Sequence, residues 1–351
     1  MQGFSVFLDK DIDETTIAYI EQMARAGFTG IFTSLHIPED DPNKYRERIT
    51  KLGAIAKKNQ LSLMVDVSGD ALSKAGFSFN NLTELKKLGI TGLRADDRVE
   101  LKMIAKLTKE LTVGLNASTM TKADITELKD LGADLSHLLA WHNYYPRPET
   151  GLDKNYFYEQ NAFLKQNDLK VVAFIAGDTA LRYPLYQGLP TLEAHRYLKP
   201  IVAYLELKSS NVDGIYLGDS GLTADAQKQF AHLLKEDHLL LRAKASSSYF
   251  SRVIGKQQNR KDVARDVIRS ADARLKISEP ILPENTTFRP KGTITLDNCD
   301  YGRYMGELQL VKRDLKADPR VNVVGKVSDE DLDLLAYIGA GQKFEIVEDK
   351  R

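Results

Sequence analysis

Apolar residues along this chain fall in short runs, separated by longer stretches in which they recur every three or four positions. Eight runs occupy the first two-thirds: FSVFLD (4–9), GIFTSL (30–35), LSLMVDV (61–67), TGLRAD (91–96), TVGLNAS (112–118), LSHLLAW (135–141), VVAFIAG (171–177) and GIYLGDS (214–220). The stretches between them read as amphipathic helices. In the first, Ile17, Ile20, Met23 and Ala24 share one face, and Asp13 stands where an N-cap belongs. Strands alternating with helices predict parallel strands joined by crossover helices.

A weak internal repeat narrows the topology. RAGFTGIF (25–32), KLGITGLR (87–94) and DLGADLSHL (130–138) each lead a helix end through a glycine corner into a strand, and SSNVDGIYL (209–217) places Asn211 at the same point. Glycine or asparagine there can take the left-handed backbone that ends a helix. These corners precede the even-numbered runs, whereas odd-numbered runs are entered through dissimilar sequences such as KKNQLSLMV and QNDLKVVAF. Eight strands in this alternating pattern predict an α/β fold of the (β/α)8, or TIM, barrel type rather than an open doubly wound sheet.

The pattern changes after TADAQKQFAHLLKE (223–236), which reads as the eighth helix. HLLLRAKAS, GTITLDN, GELQLVKR, VNVVGKV and KFEIVED are strand-like, with Pro280, Pro283, Pro290 and Pro319 in the connections. One helix is expected in SDEDLDLLAYIG, opened by Ser328 with Asp331 three positions on and closed by Gly339. The expected organisation is a barrel over residues 1–236 and a smaller, mostly β domain over 237–351.

Composition excludes several partner classes. A length of 351 residues suits two domains. Lys and Arg total 49, as do Asp and Glu, so the chain lacks the basic footprint expected of a nucleic-acid or membrane-surface binder. The single Cys299 excludes an intramolecular disulfide and a cysteine zinc cage. The opening MQGFSVFLDKDIDETT lacks a basic region followed by an apolar core, and no run of about 18 apolar residues occurs, which predicts a cytoplasmic protein. P-loop, GxGxxG, HExxH and GxSxG patterns are missing, as is two-His metal spacing, so neither cofactor nor metal is expected.

In a barrel, chemistry is expected at the carboxyl ends of the strands. The residues falling there are Asp9; Ser34 and His36; Asp66 and Ser68; Arg94, Asp96 and Asp97; Asn116 and Ser118; His142 to Glu149; Asp178 with Arg182; and Asp219. A ring of carboxylates with a few Arg, Asn, His and Tyr suits sugar binding with general acid/base chemistry. An aspartate behind a strand is often only a helix N-cap, a reading that fits Asp9, Asp97 and Asp178. Asp66, flanked by valines, and Asp219, with glycines around it that would admit a ligand to the backbone, resist it better. Lone His36 and His142 are more simply read as hydrogen-bonded structural residues.

The densest stretch is HNYYPRPETG (142–151). Pro146 and Pro148 stiffen it and fix the backbone around Arg147. Tyr144 and Tyr145 offer flat amphipathic faces to a sugar ring, and Glu149 follows on the same rigid segment, placed to give or take a proton. In the second domain DNCDYGRYMGELQL (297–310) gathers Asn298, Tyr301, Arg303, Tyr304 and Glu307.

Together FSVFLDKDID, HNYYPRPETGL and GTITLDNCDYGRYMGELQLVKRDL resemble the bacterial domain-of-unknown-function 871 family, labelled "outer surface protein", whose characterised branch is the 6-phospho-N-acetylmuramidases of glycoside hydrolase family 170. The resemblance spans essentially the whole chain. It implies a barrel followed by a cyclophilin-like β domain, and hydrolysis of 6-phospho-N-acetylmuramic acid linked β-1,4 to N-acetylglucosamine in cytoplasmic cell-wall sugar recycling. The implied partner is therefore a small phosphorylated sugar. Its phosphate and lactyl carboxylate call for at least two cations, and Arg147, Arg94, Arg182 and Arg303 are available. Asn116, Asn143, Tyr144 and Tyr145 suit its acetamido group and ring faces, with His142 and Asp96 on the same polar rim. Strand ends and chemistry, rather than the resemblance, nominate Glu149 as general acid/base with Asp219 or Asp66, before Asp9, as the second carboxylate. A non-catalytic sugar-phosphate sensor is the competing reading, and a peptidyl-prolyl isomerase a remoter one.

Overall fold

The computed structural model describes the chain apart from residues 36, 38–41, 69–71, 73–75, 96–98 and 351. It divides into two compact units, Met1–Lys228 and Gln229–Arg351.

In the first unit eight parallel strands close into a barrel in sequence order. They are β1 (Gln2–Ser5), β2 (Gly30–Ser34), β3 (Ser62–Val67), β4 (Gly92–Ala95), β5 (Thr112–Asn116), β6 (Leu138–Trp141), β7 (Lys170–Ile175) and β8 (Gly214–Leu217). The helices between and after them are α1 (Glu14–Arg25), α2 (Pro42–Lys58), α3 (Leu82–Lys87), α4 (Leu101–Leu107), α5 (Lys122–Asp130), α6 (Lys154–Gln166), α7 (Pro200–Lys208) and α8 (Ala224–Glu236). Each strand falls on or beside its apolar run, which is the TIM-barrel order that the alternation predicts. Two runs are trimmed: Val6 to Leu8 stay buried after β1 has ended, and Leu135–His137 form a 3-10 turn ahead of β6. Asp13 caps α1, accepting the Thr16 N–H at 2.8 Å.

The repeated corners are left-handed as the sequence predicts, at Gly27 (φ +102°), Gly89 (+92°), Gly132 (+72°) and Asn211 (+58°). At the first, the Phe28 N–H returns to the Met23 carbonyl and closes the helix end. Two odd-numbered corners are left-handed as well, through Gln60 and Asp168. The repeat therefore marks where glycine is used, while the geometry itself extends further.

Inside the barrel Phe32, Met64, Leu139, Trp141, Val172, Phe174 and Tyr216 form one buried cluster. Tyr216 leaves no room for a side chain on Gly3, whose added Cβ would lie 2.1 Å from its ring. Tyr144 packs on top, meeting Phe174, Phe32 and Phe7 edge-on at centroid distances of 5.2, 6.2 and 6.3 Å. The barrel is thus filled with aromatic side chains up to the level of the loops, and any chemistry is confined to the layer above Tyr144.

The second unit holds a seven-stranded sheet in the order β10-β15-β9-β14-β12-β13-β11. Its strands are β9 (His238–Ala245), β10 (Gly255–Gln258), β11 (Val267–Arg269), β12 (Thr293–Asp297), β13 (Leu308–Val311), β14 (Val321–Val327) and β15 (Lys343–Glu348). β15 and β9 pair in parallel and the other neighbours antiparallel. The sequence pattern reveals five of these strands and misses the two edges, the largely polar β10 and the three-residue β11.

The helix expected in SDEDLDLLAYIG is instead a 3-10 segment, Asp329–Tyr337, without a capping box. Ser328 donates its hydroxyl to Asp349 (2.6 Å), and the buried Asp331 carboxylate turns to the Arg242 guanidinium at 2.8 and 2.6 Å. A buried carboxylate needs its cation more than the helix needs a cap. Among the described residues, no helix is long and apolar enough to cross a membrane.

Candidate active site

The loops after β6 and β7 build the centre of the carboxyl face. After β6 the chain runs through His142 to Asp153, and after β7 through Ala176 to Lys199. The two loops pair briefly, Leu152 with Leu192, and the Tyr145 N–H bonds to the Pro190 carbonyl at 3.0 Å.

Glu193 and Arg196 fasten these loops together. The Glu193 carboxylate accepts the backbone N–H of Glu149 at 2.9 Å and of Gly151 at 2.8 Å. Arg196 grips the same carboxylate through two bonds of 2.7 and 2.6 Å. Its remaining donors reach the carbonyls of Tyr145 (2.9 Å), Gly188 (3.0 Å) and Arg147 (3.2 Å). The Arg196 side chain is fully buried. The Arg196 hydrogen bonds, helped by the two backbone donors, hold the Glu193 carboxyl at about 2, well below its ordinary value. Gly151 is required, because a Cβ there would come within 2.6 Å of the carboxylate.

This fastening shapes the segment that carries Arg147 and Glu149. Glu149 has φ +70°, a left-handed conformation rare for a side chain of its kind, and is exposed. Neither the Glu149 carboxylate nor the Arg147 guanidinium has a side-chain partner among the described residues. Tyr145 reaches Ser118 only at 3.5 Å.

His142 is structural. Its ring is fully buried between the Ser118 hydroxyl (2.9 Å) and the Asn161 side-chain oxygen (2.8 Å), and burial lowers its pKa to about 4. A neutral imidazole then donates to Asn161 and accepts from Ser118.

A second polar cluster stands at the tops of β2, β3, β4 and β6. Arg94 donates to Asp66 at 2.8 Å and also bonds the side-chain oxygen of Asn143, while Ser34 reaches Asp66 at 3.3 Å. The Arg94 Nε is buried with no partner among the described residues. Asp66 and Arg94 neutralise each other, so neither is a free charge for a ligand.

Asp219, fully buried, accepts three backbone N–H groups: Gly177 and Leu189 at 2.9 Å and Arg182 at 3.1 Å. Burial raises its pKa against the pull of those donors. The glycines around it serve packing, contrary to the expectation that they admit a ligand. A Cβ on Gly218 would lie 2.1 Å from the Leu189 carbonyl, and one on Gly221 2.6 Å from that of Thr179. Asp219 is a knot in the β7 and β8 loops.

Arg182 has the opposite character. Its guanidinium donates to the Tyr144 hydroxyl at 3.0 Å and lies 4.2 Å above the Phe7 ring. No carboxylate among the described residues pairs with it. Tyr144, pushed up to about 12 by burial, is a neutral phenol at any working pH.

The remaining candidates are dispersed. Asp9 is exposed, unpaired among the described residues, and lines a cavity of about 300 Å3 beside Phe7 and Thr179. Asn116 ends β5 and accepts the Ser118 N–H. Asp178 caps Thr223 ahead of α8, as the capping interpretation suggests, although the helix is not the one directly after it. Arg303 belongs to the second unit, where it lies over the Tyr304 ring and donates to its hydroxyl. His36, Asp96 and Asp97 lie outside the described residues.

Sequence reasoning did not find Glu193, Arg196 or Phe7. The pair carries a legible signal, opposite charges three residues apart in LEAHR, but in a loop that spacing implies no contact. Phe7 reads simply as core.

Comparison with known proteins agrees across both units. The family described as "6-phospho-N-acetylmuramidase, N-terminal" matches residues 2–232, and "6-phospho-N-acetylmuramidase, C-terminal" matches residues 238–347. The crystal structure of a conserved Enterococcus faecalis protein of unknown function is 44% identical, with a TM-score of 0.90, covering 100% of this chain and 97% of the other. That of an uncharacterised B. cereus protein is 28% identical, with a TM-score of 0.76 and 99% of each chain covered. No curated protein matches the chain.

Proposed function

The chain belongs to the 6-phospho-N-acetylmuramidase family, and on that premise we propose that it hydrolyses the β-1,4 bond between 6-phospho-N-acetylmuramic acid and N-acetylglucosamine, as a step in cell-wall sugar recycling in the cytoplasm. The observation that carries the reading is Glu149: an exposed carboxylate, without a side-chain partner among the described residues, held in a left-handed backbone in the loop after β6.

In this reading Glu149 protonates the glycosidic oxygen as the bond breaks. On the opposite side of the sugar the second carboxylate either bonds to the anomeric carbon until a water that gives its proton to Glu149 displaces it, or itself takes the proton of a water that attacks directly. Asp66 is neutralised by Arg94 and Asp219 is saturated with backbone donors, which favours Asp9 over both and reverses the order suggested by sequence. Asp66 then serves through Arg94 and Asn143, orienting the acetamido group. Tyr145 and Asn116 line the sugar, and Arg147 and Arg182 answer its two anionic groups.

The test is to incubate the protein with the phosphodisaccharide and with its dephosphorylated counterpart. Release of N-acetylglucosamine from the first alone supports the proposal. Tight binding of the first without release favours the sugar-phosphate sensor.

A further inference from the structure

We infer that Glu193 and Arg196 are positioning residues for the proton transfer assigned to Glu149, acting through the backbone of residues 145–151. The inference rests on the reading of Glu149 given above and extends it to a pair that touches no substrate.

Two adjacent backbone N–H groups pointing into one concavity normally make a site for an anion. Here the concavity formed by Glu149 and Gly151 is already filled by the Glu193 carboxylate. That occupation fixes the 148–149 and 150–151 peptide planes, while the Thr150 N–H bonds the Arg147 carbonyl at 3.4 Å between them, and together these set the direction in which the Glu149 side chain leaves the loop. Arg196 completes the device from beneath. Its charge keeps Glu193 ionised, and its donors set the height of the Tyr145 and Arg147 carbonyls relative to Gly188 in the neighbouring loop. Thr150 adds a local tie, its hydroxyl donating to the Arg147 carbonyl at 2.6 Å. A neutral amide at position 193 would present an NH2 group to one of the two N–H donors and release the grip of Arg196. Nothing else among the described residues bonds the Glu149 N–H, so the device has no substitute.

A merely structural pair would change stability alone, and the experiment separates the two. Glu193→Gln, Arg196→Lys and the double variant are compared with wild type and with Glu149→Gln on the phosphodisaccharide, well below their unfolding temperatures. Readouts are kcat, KM, the pH dependence of kcat, and amide hydrogen exchange at Glu149 and Gly151. The expected result for Glu193→Gln is a kcat lowered about 10- to 100-fold with KM within about 3-fold of wild type. The pH limb that disappears in Glu149→Gln is displaced, and both amides exchange faster. The double variant is no slower than the worse single one, since the pair acts as one unit. Arg196→Lys, which keeps the charge and loses the two-pronged grip, shows the same signs more mildly and carries the comparison if Glu193→Gln does not fold.

An inactive Glu149→Gln beside a Glu193→Gln with wild-type kcat and an undisplaced limb overturns the positioning role and leaves the glycosidase intact. A lowered kcat with unchanged exchange at both amides overturns it too. If Glu149→Gln turns over normally, or wild type releases no N-acetylglucosamine, the reading beneath it fails first.

Discussion

Arg94 and Asp66, on the neighbouring strands β4 and β3, form a buried ion pair at 2.8 Å, their side chains 5% and 6% exposed. Removing only the cation strands a carboxylate in the barrel. Arg94→Met is expected to cost about 3–5 kcal/mol, read as a lower urea midpoint at unchanged slope. Arg94→Met combined with Asp66→Asn should recover part of that loss. Equal destabilisation in the single and double variants would mean that the shape of the arginine matters more than its charge.

Among the described residues Glu149 makes only a backbone bond, its N–H donating to Glu193. Glu149→Gln keeps that bond and removes the proton, so kcat should fall about 10²- to 10⁴-fold with little change in KM. Steady-state kinetics on the phosphodisaccharide check this, and near-normal turnover removes Glu149 from the mechanism.

Arg182 is a cation prepared for an anion, held by the Tyr144 hydroxyl and the Phe7 ring without a carboxylate partner among the described residues. Arg182→Gln should raise KM for the phosphodisaccharide at least about 10-fold, the scale of one charge-assisted hydrogen bond. Arg147→Gln, at an exposed and unsupported position, should raise it less. The reverse ranking would place the main anion contact on the β6 loop.

His142 titrates near 4 in the fold, against 6.5 as its ordinary value. Between these values the unfolded chain binds a proton that the folded chain refuses, so stability is complete above about pH 6.5 and declines towards pH 4. The full difference is on the order of 3 kcal/mol. Glu193, held near 2, adds a second decline below about pH 4.5 as its ion pair is protonated. Thermal midpoints from pH 7 to pH 4 should fall in wild type and fall less in His142→Gln; parallel profiles would assign the slope to other groups.

The barrel was legible because its strands are buried on both faces and its helices on one, which writes two distinct periods into the chain. β10 and β11 were not, since GKQQ carries almost no apolar signal and VIR is too short to show a period. The site was half legible. Strand ends locate Asp66, Arg94, Asn143 and Tyr144 at the mouth, but sequence does not say which charges cancel. Asp66 and Asp219 looked more committed to chemistry than Asp9, and the fold gives both of them protein partners. Arg196 was invisible because four of its six side-chain bonds run to residues at least eight positions away, and all of those are to main-chain carbonyls.

Every contact that Glu193 and Arg196 make with residues 145–151 is to main chain: two N–H groups and two carbonyls. The loop is therefore held in shape by atoms that nearly every amino acid possesses. Gly151 must stay small and Glu149 is kept by its left-handed backbone and its proton, but Tyr145 and Arg147 are free to vary without loosening the frame. A lineage could exchange those side chains one at a time and explore new sugars from a constant scaffold, with little penalty to folding at each step.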